Sequence, residues 1–427
     1  MRHRTSQIRI LHIIIQPSIV AVNKVHIAVG KFACSTFHLT AILLNTMSKE
    51  TVAQDSTVTA ASQSAVALPG RLVSIDALRG FDMFWIVGGD AIFRSLHNIS
   101  RNPVTEWINL QLQHCPWQGF RCYDLIMPLF LFIVGAVMPF SINRRLAASS
   151  SKLAVYKHIL LRVIILWLFG MIQDELLAFD LSKVRLYSNT LQAIASGYLI
   201  AAIVMLHFRP KVQYLIFGGL LLVYWALLTF VPVAGVGPGQ LTPQGNLAIY
   251  IDKTLMGRFQ DGTAYTWILS SMTFAATVLM GVFSGRFLRQ NRGAYSKVVW
   301  LLAAGLACLL TGLAWSTFFP IIKYIWSSSF VLFAGGISLI LLGLFYLVID
   351  VWGYKKWAFG FIVIGSNAIV AYMLPTFVSF RTIAGFFVSG LDKWVGGWTE
   401  FTHTLAAFFV LWLLLFYLYR NKTFVKI

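Results

Sequence analysis

Apolar residues run through this chain in long blocks separated by short polar segments. From Ser74 onward ten blocks approach membrane length: 74–96, 123–142, 153–173, 189–207, 213–232, 266–285, 297–318, 329–349, 357–375 and 402–419. Each is long enough to span as a helix, the structure that satisfies its own backbone in lipid. An eleventh apolar piece, 376–391, is shorter and holds Arg381 and two glycines; it reads as re-entrant or interfacial. The pattern predicts an all-α polytopic membrane protein, a bundle of about ten (10–11) transmembrane helices.

Composition agrees. Of 427 residues, 58% are hydrophobic and 11% charged, with mean hydropathy +0.74. A soluble chain carries about 25% charged residues, so this one has too little polar surface to be soluble. The net charge of +19 is scattered between apolar blocks rather than gathered in a basic domain, which argues for membrane topology and against nucleic acid. Short connections rich in Lys and Arg (143–152, 208–212, 286–296, 350–356 and the tail from 420) alternate with longer, less basic ones. The positive-inside rule puts the first set, and both ends of the bundle, in the cytoplasm. The expected location is a bacterial inner membrane.

Residues 1–46 are basic, carry no acid, and lack the layout of a signal peptide. Met47 opens a Ser/Thr/Ala-rich stretch of the kind found in disordered tails. The expectation is an N-terminal extension over 1–70, with either translation starting at Met47 or 1–46 forming an extra amphipathic or membrane segment, ahead of a membrane domain over 71–427.

The stretch 71–145 gathers most of the chemistry. Charge in a membrane-length block is costly and marks a functional site by default. The first block carries Asp76, Arg79 and Asp82 at i, i+3, i+6, where a mutual pairing is the bland reading, and Asp90 further out after two glycines. The following polar loop carries His114. Alone, His114 reads either as an interfacial hydrogen-bonding residue or as a general base, since imidazole exchanges protons at working pH. Asp90 or Asp124 would orient it. Arg144 and Arg145 follow the second block as topology determinants or as a phosphate clamp for a nucleotide-like donor. Asn189, Gln192 and Asn367 lie in later blocks, where hydrogen bonding between helices accounts for them. Cys115 and Cys122 share the His114 loop, as two free thiols or as a disulfide in an oxidising compartment. No cysteine/histidine spacing marks a metal site, and no P-loop, GxSxG or HExxH is present.

RLVSIDALRGFDMFWIVGGD from Arg71, and HCPWQGFRCYDLIMPLFLFIVG from His114, resemble the heparan-alpha-glucosaminide N-acetyltransferase family, above all its bacterial members. RLYSNTLQAIASGYL (185–199), LTPQGNLAIYID (241–252), FPIIKYIWSSSFVL (319–332) and IGSNAIVAY (364–372) extend the likeness in the same order. The resemblance implies a membrane enzyme that moves an acetyl group from cytosolic acetyl-CoA to the amine of a terminal glucosamine across the membrane. It implies His114 as the catalytic histidine, in an H-x-x-W-x-G setting with Trp117 and Gly119. At the position of Asp90 the animal enzymes carry asparagine, so Asp90 is expected to orient His114 or to bind the acceptor amine; the acceptor itself is left as an amino-sugar glycan, since bacteria rarely meet heparan sulfate. The expected partners are the bilayer, acetyl-CoA, that glycan and, in a homodimer, a second copy. Two rivals stand beside this reading: a permease for a sugar or lipid-linked precursor, and an O-acyltransferase of surface glycans.

Overall fold

A computed structural model describes residues 72–148, 151–174, 176–178, 180 and 183–425. The expected domain boundary, Met47 and Cys34 lie outside them. The described residues are helical, without a named strand. The first elements are α1 (Val73–Phe84), α2 (Asp90–Ile99), α3 (Pro103–Gln111), α4 (Ile126–Ala148), α5 (Lys152–Gln173), α6 (Thr190–His207) and α7 (Pro210–Phe230). There follow α8 (Leu247–Met256), α9 (Ser271–Leu288), α10 (Ala294–Trp315), α11 (Ser328–Phe345), α12 (Phe359–Ser366), α13 (Ala368–Phe377), α14 (Phe380–Val388) and α15 (Thr399–Arg420).

Among the described residues, eight helical runs are long and apolar enough to cross a membrane, nine if α12 and α13, bent by 61°, form one span. The remaining expected span, the first, is helical but bears Asp76, Arg79, Asp82, Asp90 and Arg94. It is also broken: a π-helical turn, Trp85–Gly89, joins α1 to α2, and Gly88 sits at φ 144°. A side chain there would clash with its own backbone, so glycine permits the break. Asp90 therefore falls in the first turn of a new helix, where the helix dipole favours an acid.

Helices α4, α6, α9 and α11 form the interior, with 56–72% of their apolar windows buried. In α5, α7 and α10 only 22–28% is buried, and Leu160, Leu215, Leu222 and Leu306 point outward. That exposed leucine surface is too large for water and suits lipid. At the centre α4 crosses α9 on glycine: a Cβ on Gly135 would stand 1.9 Å from the Val278 carbonyl oxygen. Such close backbone approach is the small-residue packing of membrane helices, where dispersion replaces the hydrophobic effect.

Several expected site residues turn out to hold the frame. Asn189 caps α6 through the N–H groups of Leu191 and Gln192, and donates to the carbonyl of Gly170 and to Asp174. Gln192 closes the same cap and donates to the Leu186 carbonyl. Asn367 stands at the bend between α12 and α13, where it donates to the Thr423 carbonyl and accepts from Val425 N–H, tying down the tail. Asp76 pairs with Arg79 at 2.9 Å, and Arg79 also donates to the Gly365 carbonyl. Asp82 does not join them, a correction to the three-way pairing. Six residues carry it about 120° around the helix from Asp76, and both its carboxylate oxygens are buried without a hydrogen-bond partner among the described residues. The piece 376–391 contains the short helix α14, and the long connection between α7 and α9 contains α8, whose Leu247, Ala248 and Ile249 are buried.

Candidate functional site

The loop between α3 and α4 is closed by one carboxylate. Asp124, in a 3-10 turn at the head of α4, accepts from the backbone N–H of Cys115 (3.1 Å) and of Arg121 (3.0 Å) through Oδ2. Its other oxygen, Oδ1, lies 2.8 Å from His114 Nδ1. One acid thus fixes both limbs of the loop and the imidazole between them. Arg121 adds a hydrogen bond from its guanidinium to the His114 carbonyl.

A second strap comes from the segment between α10 and α11. Gly119 N–H donates to the Ile321 carbonyl at 2.8 Å, and Gln118 and Ile322 form an isolated β-bridge. This pairing sets Lys323 against the loop. Its Nζ lies 3.3 Å from Asp124 Oδ1, 2.9 Å from His114 Nδ1 and 3.4 Å from His114 Nε2. Trp117 donates from its indole N–H to the Leu241 carbonyl and stacks on Tyr324. Tyr324 in turn meets Tyr265. The long connection between α7 and α9 therefore packs on the histidine loop, and Asp252 within it accepts from Trp267 and Ile268 N–H.

Burial grades the three groups. The side chains of Asp124 and Lys323 are 1% and 5% exposed, while that of His114 is 38% exposed. Burial pushes the Lys323 ammonium down to about 8, against the opposing pull of Asp124. The contacts also choose the histidine tautomer. A carboxylate oxygen 2.8 Å from Nδ1 can only accept, whereas an ammonium can turn its protons to Asp124 instead. Nδ1–H then donates to Asp124, and Nε2 keeps a lone pair, with Lys323 Nζ 3.4 Å away, the arrangement of an oriented general base.

Asp124, rather than Asp90, is thus the carboxylate on His114. Asp90 accepts from the Tyr123 hydroxyl at 3.4 Å and pairs with Arg94 at 3.4 Å; the Tyr123 ring lies 5.0 Å from the imidazole. The break at Gly88 explains this placement, since it redirects the helix before Asp90. Arg144 and Arg145 are exposed at the far end of α4. That helix has 23 residues and is about 34 Å long at the usual rise, so they mark the opposite end of the bundle. Cys115 and Cys122 are free thiols, and Cys115 Sγ donates to the Gln118 carbonyl.

Lys323 is the residue that the spacing of charges did not single out. Its signal was a lone lysine inside FPIIKYIW, with no acid nearby in the sequence. Its partner His114 lies 209 positions away.

No protein-family profile matches the chain. Human heparan-alpha-glucosaminide N-acetyltransferase is 25% identical over 381 residues, covering 75% of this chain and 55% of the human protein. The mouse protein of the same name is 25% identical over 321 residues, covering 61% of this chain and 48% of its own length. The chain spans about half the length of these curated relatives. It is a distant relative of the heparan-alpha-glucosaminide N-acetyltransferases.

Proposed function

We propose that this protein is a membrane acetyltransferase that carries an acetyl group from cytosolic acetyl-CoA to the amine of an amino sugar on the other side of the membrane. The observation that supports it most is the exposed His114 held by the buried Asp124 and Lys323. The distant N-acetyltransferase relatives supply the reaction class.

In this mechanism Arg144 and Arg145 meet the donor's phosphates at the cytoplasmic end, where guanidinium groups bind them with charge-assisted hydrogen bonds. The pantetheine arm passes through the bundle, and the thioester reaches the level of His114. The acceptor nitrogen attacks the thioester carbonyl carbon while His114 Nε2 takes a proton from it. The C–S bond breaks, and the CoA thiolate leaves with the proton that His114 returns. The products are the N-acetyl sugar and CoA thiol. Asp124 stabilises the imidazolium that forms in between. Lys323 Nζ, 3.4 Å from Nε2, stands where it can donate to the developing carbonyl oxyanion.

Purified protein given labelled acetyl-CoA and glucosamine tests this. The expected result is CoA thiol released in step with N-acetylglucosamine, and neither with His114→Ala. Transport of the sugar without acetyl-CoA, unchanged in His114→Ala, would instead make the protein a permease. Without acceptor, a labelled protein that disappears in His114→Ala would put the acetyl group on His114 before the sugar.

A further inference from the structure

We infer that the acceptor is an amino sugar carried on a lipid chain, and that the chain binds in a cavity between α2, α13, α14 and α15 whose Arg94 is bonded to the histidine loop. This rests on the acetyl-transfer reading above. The cavity has a volume of about 440 Å³ and two kinds of wall. Val87, Ala91, Phe408 and Leu411 form an apolar part. Arg94, Asn98, Arg381 and Glu400 form a polar part. An amphiphile uses both walls, its chain on the first and its head group on the second.

Three observations tie this cavity to the site. Gly88, at the helix break, lines it beside Phe408, so the same kink that displaces Asp90 opens the space. Arg94 lines the cavity and reaches the histidine loop: its guanidinium pairs with Asp90 and donates to the Leu112 carbonyl at 2.7 Å. Tyr123 is a neighbour of both, its ring centroid 5.7 Å from the Arg94 guanidinium carbon and 5.0 Å from that of the imidazole.

The surroundings fit an occupant that arrives through the bilayer. The segment after α13 exposes Phe386, Phe387, Trp394 and Trp398, an aromatic cluster of the type that sits at a membrane interface. Arg381 of α14 and Glu400 of α15 close a two-bond ion pair at the polar end of the cavity. The lipid chain would lie along the apolar wall, and the amino sugar would leave the cavity at Arg94 to meet the histidine loop where the His114 side chain is exposed.

The experiment compares methyl and dodecyl glucosaminide as acceptors of the full-length protein in nanodiscs, with wild type and two cavity-filling variants, Ala91→Phe and Thr404→Phe. Partitioning of the dodecyl chain into the bilayer is common to all three and cancels. In each variant, if thermally as stable as wild type, the dodecyl-to-methyl ratio of kcat/KM is expected to fall roughly tenfold, the loss of about two buried methylenes. An unchanged ratio in both variants overturns the proposal. A dodecyl glucosaminide with a photoreactive group in its chain, applied to His114→Ala protein, reads binding without turnover. Crosslinks within 87–98 and 404–411 support the site, and crosslinks confined elsewhere overturn it. Crosslinking in the cavity together with absent acetylation in wild type would remove the transferase reading and leave a glycolipid site.

Discussion

Lys323 Nζ lies 3.3 Å from Asp124 Oδ1, both nearly inaccessible to solvent, and His114 touches the two of them. An ammonium beside a carboxylate limits the cost of burying either charge. It also gives the imidazole a neighbour whose proton depends on pH. Below about 8 Lys323 is a cation; above it, an amine. With saturating acceptor and donor, kcat is expected to fall as pH rises through about 8, because the cation facing the oxyanion is lost. Lys323→Arg, which stays charged across that range, should move or abolish this limb. Lys323→Met should lower kcat at neutral pH by roughly 10²–10³-fold, the usual loss of an oxyanion donor. A pH–rate profile of the three proteins checks this, and identical alkaline limbs would exclude Lys323 as their source.

Asp124 does two jobs, and its removal should show in two measurements. Asp124→Ala strands the N–H groups of Cys115 and Arg121, at about 1–3 kcal/mol for each one left unsatisfied. A lower melting temperature in detergent is expected. Asp124→Asn keeps an acceptor for the loop but weakens the hold on imidazolium. It should melt closer to wild type while kcat drops by roughly 10²–10⁴-fold. Equal loss of stability and activity in both variants would reduce Asp124 to a structural role.

Arg144 and Arg145 are exposed at the other end of α4, so replacing them should leave the fold unchanged. Arg144→Ala with Arg145→Ala is expected to raise KM for acetyl-CoA by roughly tenfold or more, since a hydrogen bond to a charged group contributes about 1.5–3 kcal/mol. The KM for the sugar should stay as it was. A rise in sugar KM instead would contradict the assignment of ends.

Gly88→Ala tests the helix break. With φ at 144°, a Cβ costs about 1–3 kcal/mol of strain, so a lower melting temperature is expected. A variant as stable as wild type would mean that α1 and α2 need no glycine to part.

Much of the bundle was legible because membrane spans are written as uninterrupted apolar runs, and the internal helices differ from the lipid-facing ones only in which residues they bury. His114 and Asp124 were both visible because they lie ten positions apart, within one loop and the turn that ends it. Other features were hidden for physical reasons. Lys323 reaches the site through a backbone pairing of Gly119 with Ile321, which no local pattern announces. The first span could not be seen to break, because Gly88-Gly89 in an apolar run reads equally as close helix packing. That break removed Asp90 from the histidine and put Arg94, which had no assigned role, at the wall of a cavity. Asn189 and Gln192 read as polar residues inside a span, whereas they form a helix cap.

The most direct test of the account is transfer across a sealed membrane. Proteoliposomes are loaded with radiolabelled acetyl-CoA, a membrane-impermeant glucosamine derivative is supplied outside, and label on its nitrogen is measured. N-acetylated product is expected outside from protein oriented with Arg144 and Arg145 inward, and none with His114→Ala. Product formed equally by His114→Ala, or only when donor and acceptor share one side, would contradict it.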